Sequence, residues 1–167
     1  PSGTFTLNAA TNAANYIDTM ANFAAAFDGI TSYAGPLSIS DTGTVLATDL
    51  TNISKLTSGT TTATTPSLVT GSSAEIVSAI GSVGLSNNVT LVISGTTAAT
   101  IAELVTIMDT EPGAVVLNSE TIAQNYDDTA ANLAAAFDGI TTSTSTLTIT
   151  GADAATIAEL MVINAAT

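Results

Sequence analysis

The chain has 167 residues; one is Lys or Arg, fourteen are Asp or Glu, and His, Cys and Trp are absent, giving a formal net charge of -13. Only 9% of residues are charged, against roughly 25% in ordinary soluble domains, and the one cation, Lys55, cannot neutralise the phosphates on which nucleic-acid affinity rests. Nucleic acids and nucleotides, imidazole or thiol catalysis and common zinc sites are excluded, which leaves carboxylate chemistry, oxygen-ligand cation binding and hydroxyl-rich surfaces.

In chain order, the first strand candidate is Phe5-Thr6-Leu7. Phe23, Phe27 and Ile30 then fall at i, i+4 and i+7, the spacing of one helix face, and Gly29 stands where such a helix should end. Leu37-Ser38-Ile39 alternates apolar with hydroxyl residues, as a half-buried strand does. Leu46, Leu50 and Ile53, followed by Leu56, predict another helix, and the tract from Thr57 to Pro66 reads as a low-complexity loop. Ser67-Leu68-Val69 predicts a strand, and the capping box Ser72-x-x-Glu75 opens a helix carrying Ile76, Ile80 and Val83.

Val89 to Ile93 is the next strand candidate. The helix that follows bears Ile101, Leu104, Ile107 and Met108 and starts either at Thr97 or, a turn later, at the box Thr100-x-x-Glu103. A strand at Ala114 to Leu117 precedes a helix with Leu133, Phe137 and Ile140, for which Asp128 is the candidate N-cap and Gly139 the stop. Thr141 to Thr146 is a second hydroxyl-rich loop, Leu147-Thr148-Ile149 the last strand, and the final helix opens at Asp153 or at Thr156-x-x-Glu159. No uncharged apolar run approaches 18 residues, so no membrane insertion is expected.

These elements repeat. The segment from Ala21 to Thr31 recurs from Ala131 to Thr141 at an offset of 110 residues, and Leu91 to Leu104 recurs as Leu147 to Leu160 at an offset of 56. A weaker copy begins at Leu37-Ser38-Ile39-Ser40. The period is about 55 residues, with approximate repeats 1–65, 66–112 and 113–167 forming a single array. The fold expected is α/β: a repeat solenoid of about six strand–helix coils, three copies of a βαβα unit, with a parallel sheet. A compact α/β sandwich is the alternative.

The helix starts Asp128-Thr129-Ala130-Ala131-Asn132-Leu133 and Asp18-Thr19-Met20-Ala21-Asn22-Phe23 resemble DTAANL-type, Ala/Thr-rich repeats of giant secreted bacterial surface and adhesin-like proteins of cyanobacteria and proteobacteria. The resemblance implies a structural or adhesive role without catalysis. The GGxGxD calcium repeat that accompanies this group elsewhere is absent here.

Among the carboxylates, Asp28 and Asp138 recur beside Gly29 and Gly139 at helix C-termini, where the macrodipole disfavours negative charge. They are the candidate metal ligands, for calcium through oxygen, against a turn in which Asp bonds a backbone N–H. Asp127-Asp128 and Asp109-Thr110-Glu111 have the residue types of paired acid–base carboxylates but no cationic or imidazole partner, so no catalytic or cofactor-binding residue is assigned. The row Thr144-Ser145-Thr146-Leu147-Thr148-Ile149-Thr150 has an ice-binding pattern in one copy only. Tyr16, Tyr33 and Tyr126 are candidates for stacking on glycans or for core packing. Asn52-Ile53-Ser54 and Asn88-Val89-Thr90 fit the N-glycosylation sequon.

The functional expectation is a structural repeat segment of a secreted or cell-surface bacterial protein. It would self-associate into an extracellular filament, sheath or layer, its partner being other copies of itself. A monomeric adhesive or carbohydrate-binding module, contacting surface glycans, is the alternative. Scarcity of Lys and Arg depletes trypsin-type cleavage sites, weakly charged Thr/Ser/Asn/Ala surfaces lower the desolvation cost of contact, and neither end carries a charged capping repeat. The start at Pro1 leads us to expect a processed chain or a part of a longer one.

Overall fold

The computed structural model describes residues 6–167. In chain order they form α1 (Ala9–Ala13), β1 (Tyr16–Asp18), α2 (Met20–Ala26), β2 (Leu37–Ile39), β3 (Gly43–Leu46), α3 (Ala47–Ser54), β4 (Thr61–Ala63), β5 (Pro66–Gly71) and α4 (Ser73–Ser82). There follow β6 (Gly84–Leu85), β7 (Thr90–Ile93), α5 (Ile101–Met108), β8 (Ala114–Val116), α6 (Ser119–Ala123), β9 (Tyr126–Asp128), α7 (Ala130–Ala136), β10 (Leu147–Ile149) and α8 (Ile157–Ala166).

The fold is α/β with parallel sheets. One sheet has the order β1-β2-β4-β6, a second β3-β5-β7-β8, and β9 pairs with β10 in a third. Every pairing is parallel, and partners stand 21 to 24 residues apart, as in Tyr16 opposite Leu37 and Leu37 opposite Thr61. The helices pack in series, α2 on α3, α3 on α4, α4 on α5, α5 on α7 and α7 on α8. A parallel pair needs a crossover of a dozen or more residues, and the 21–24-residue spacing holds one helix and its turns.

Side chains explain the layering. Leu37 and Ile39 of β2 and Leu91 and Ile93 of β7 point into the core while their hydroxyl-bearing or smaller neighbours lie at its edge, the period-2 pattern of a one-sided strand. They meet the helix stripes Leu50 and Ile53, Ile76 and Ala79, Leu104 and Ile107, and Leu133 and Ala136. Each fully buried Leu or Ile contributes roughly 1.5–3 kcal/mol relative to exposure. At the α2 and α7 C-termini, Gly29 and Gly139 have φ of 75° and 72°, a left-handed conformation that glycine adopts without a Cβ clash. Gly113 serves close approach: a Cβ there would stand 2.7 Å from the Asn88 carbonyl oxygen.

Several sequence expectations are corrected. The Phe5-Thr6-Leu7 strand falls partly outside the described residues, and Thr6 and Leu7 are irregular. Leu46 closes β3 with extended backbone and is half exposed, so the α3 stripe is Ala47, Leu50 and Ile53. The Thr57 to Pro66 tract is not all loop, since Thr61 to Ala63 pair as β4 with β2 and β6. Helix α7 is capped by Thr129, not by Asp128, and of the two starts expected for α5 and for α8 the structure has the later, Thr100 and Thr156, because each threonine hydroxyl reaches the N–H three residues on. In place of one sheet of about six strands, ten strands are distributed over three sheets among the described residues.

Candidate functional site

The recurring Asp-Thr-x-x-Asn sequence is a helix-starting clamp. Asp18 Oδ1 accepts from the Thr19 N–H at 2.8 Å and the Asn22 side-chain amide at 2.7 Å, while Thr19 Oγ1 accepts from the Asn22 N–H at 3.3 Å. Asp128, Thr129 and Asn132 reproduce these bonds at 2.7, 2.8 and 3.3 Å. The Asn22 amide first, and then the Thr19 N–H, hold the Asp18 carboxyl below its ordinary value.

The candidate metal ligands sit in unlike surroundings. Asp28 lines a shallow groove with Asn52 and Lys55, whereas Asp138 lines grooves with Asp109, Glu111 and Glu159. Both carboxylates are exposed, and among the described residues no group of three or more acidic side chains is placed to hold a metal ion. Asp127 and Asp128 lie on β9, where Asp128 is occupied by the clamp. Tyr33 and Tyr126 are buried, and only Tyr16 is partly open. Tyr16 packs on Phe27 at 6.0 Å and 64°, as Tyr126 packs on Phe137 at 5.5 Å and 62°. Burial, and secondarily Tyr16, pushes the Tyr33 phenol up.

The most developed polar cluster joins the turn before α5 to α6 and β9 and was not anticipated from sequence. The Ala99 N–H donates to Thr121 Oγ1 at 2.8 Å, and the Tyr126 hydroxyl donates to the Ala99 carbonyl at 2.7 Å, all three residues being buried. The Asn118 amide donates to the carbonyls of Gly95 and Thr97 at 3.1 and 2.9 Å. Beside it, Glu103 Oε2 accepts from Thr100 N–H, the Thr100 hydroxyl and the Ser73 hydroxyl. Burial pushes the Glu103 carboxyl up, but the Thr100 and Ser73 bonds outweigh it and hold the group below its ordinary value. Burial likewise pushes the Tyr126 phenol up, with the Thr121 hydroxyl acting against it and the Glu103 charge adding to it. Satisfied buried groups of this kind fix one register between neighbouring elements.

Two faces are apolar and open. Helix α8 exposes Ile157 by 78%, Leu160 by 46% and Met161 by 68%. At the opposite end a groove of about 630 Å³ is lined by Leu7, Tyr16, Phe23, Ala26, Phe27 and Ile30, with Ile17 exposed at its rim. The same motifs are buried in mid-chain: Leu104 is fully buried where Leu160 is half exposed, and Ala136 is fully buried where Ala26 is exposed. No protein-family model, curated protein or solved structure matches the chain.

Proposed function

We propose that the parallel sheets and the serial helices form one solenoid of about six strand–helix coils. We propose further that the chain is a structural repeat segment of a secreted or cell-surface bacterial protein that self-associates into an extracellular filament, sheath or layer. The observation that carries this reading is the contrast between matched motifs, buried within the chain and open at its two ends. A coil cannot bury its apolar side alone, so solenoid ends need a cap or a neighbour. Low charge density makes a neighbour inexpensive in ion desolvation.

Geometry adds an expectation about shape. Neighbouring strands need about 4.8 Å, whereas neighbouring helices need about 8–10 Å, so the stack curves with helices on the outside. Sedimentation velocity over a concentration series tests the reading: the weight-average mass should rise with concentration, and a single monomer peak throughout would refute it.

The groove beside Tyr16 favours one second reading, a monomeric adhesive or carbohydrate-binding module. That reading loses two of its three stacking tyrosines to the core. It requires saturable glycan binding by the monomer.

A further inference from the structure

Two segments of this chain occur twice in matching local conformation but in different surroundings. Residues 91–104 and 147–160 both run from strand through a positive-φ glycine, Gly95 at 93° and Gly151 at 102°, into a Thr/Glu capping box. Residues 6–30 and 116–140 share a short helix capped by Asn8 or Asn118, the Tyr–Phe pair and the Asp-Thr-x-x-Asn clamp. In mid-chain the first kind of segment is covered by the second: α5 packs on α7, and Thr121, Tyr126 and Asn118 bond the backbone at Ala99, Gly95 and Thr97. The remaining copies are the two open faces, the last coil with Ala155 and α8, and the first coil with Thr11, Tyr16 and α2.

Resting on the self-association proposed above, we infer that the last coil of one chain binds the first coil of a second copy, head to tail, in the register of the internal α5–α7 joint. Carried over residue by residue, Thr11 Oγ1 of the second copy accepts from the Ala155 N–H, and its Tyr16 hydroxyl donates to the Ala155 carbonyl. Its Asn8 amide donates to the carbonyls of Gly151 and Asp153, positions that correspond to Gly95 and Thr97. Ile157, Leu160 and Met161 close over the small, exposed Ala24, Ala25 and Ala26 of α2, as α5 packs on α7 in mid-chain. The two faces differ, so the contact is heterologous and propagates into a ring or a helical filament rather than stopping at a symmetric dimer.

The test uses complementary blocks at exposed positions: Ala26→Glu on the head and Met161→Glu on the tail, with Ala26→Lys and Met161→Lys as controls that lower the net charge. Circular dichroism and melting temperature at low concentration verify that each variant folds. Sedimentation velocity should find every single variant monomeric under conditions where the parent chain assembles. An equimolar mixture of a head block and a tail block should give a dimer and nothing larger. Tyr16→Phe, which removes one hydrogen bond, should weaken assembly about five- to tenfold. A parent that assembles while both blocks assemble equally, or while the mixture stays monomeric, overturns this joint and leaves self-association standing. A parent that stays monomeric at every concentration and salt level overturns both.

Discussion

Replacing the same leucine in two copies of one motif separates a core position from an interface position. Leu104 and Leu160 both follow Ile-Ala-Glu after a threonine cap, yet Leu104 is 0% and Leu160 46% exposed. Leu104→Ala removes a fully enclosed side chain and leaves a cavity among α5, α7 and the adjoining strands, at a cost of about 2–5 kcal/mol. For a chain of this size that lowers the melting temperature by about 4–20 °C. Leu160→Ala in the dilute monomer exchanges a half-solvated side chain for water without a closed cavity, costing less than about 1.5 kcal/mol and shifting the melt by under about 6 °C. Raising the protein concentration into the assembling range should widen the parent's advantage over Leu160→Ala, because assembly that buries Leu160 adds binding free energy to the folded state, and leave the Leu104→Ala deficit nearly constant. The assay is thermal denaturation followed by circular dichroism across concentration. Equal deficits for the two variants in dilute solution would refute the distinction between buried and open copies. A Leu160→Ala deficit independent of concentration in an assembling sample would refute its burial at the contact.

Thr121→Val should destabilise by about 1–3 kcal/mol, because the buried Ala99 N–H loses its acceptor, whereas Thr11→Val in the dilute chain should stay within about 0.5 kcal/mol; chemical denaturation reads both. Thr61 carries a buried hydroxyl without a partner among the described residues, so Thr61→Val should raise stability by up to about 1 kcal/mol, read in the same experiment. The Asp18 and Glu103 carboxyls are held below their ordinary values of 3.8 and 4.5. Their contribution to stability is therefore complete above those values and falls away as pH drops through the lower folded-state values. Glu103→Gln should make stability fall less steeply below pH 4.5, and a titration curve parallel to the parent's would contradict this. With a net charge of -13, added salt should promote assembly by screening repulsion. Calcium and magnesium should act alike at matched ionic strength; a gain confined to calcium would instead indicate a site at Asp28 or Asp138.

What the sequence made legible was whatever repeats or has a side-chain period. The stripe on α5, the boxes at Ser72, Thr100 and Thr156, and the stops at Gly29 and Gly139 are local signals, and the structure has them where the residues imply, whereas α4 ends before Val83 and α7 before Phe137 and Ile140, which pack from the turns that follow. Strands β1, β3, β4, β6 and β9 were not legible. They are two to four residues long, rich in Thr, Gly and Asp, and exist because a neighbouring strand supplies the other half of each hydrogen bond. The buried Ala99–Thr121–Tyr126 cluster is non-local, spanning 27 residues at its widest. Its trace was nevertheless present, since Thr11 and Tyr16 repeat Thr121 and Tyr126 at the offset of 110 while Ala155 repeats Ala99 at the offset of 56. The clamp at Asp18 and Asp128 gives the Asp-Thr-x-x-Asn recurrence a structural cause, the start of a helix.

The central claim, that matched faces left open on one chain are closed by another copy, is tested most directly by electron microscopy of the purified chain at near-neutral pH and raised salt. Curved filaments or closed rings should appear, with one chain of six coils advancing about 29 Å along the strand-lined inner side at the ~4.8 Å spacing of paired strands. Isolated particles of single-chain size at every concentration and salt level would contradict it.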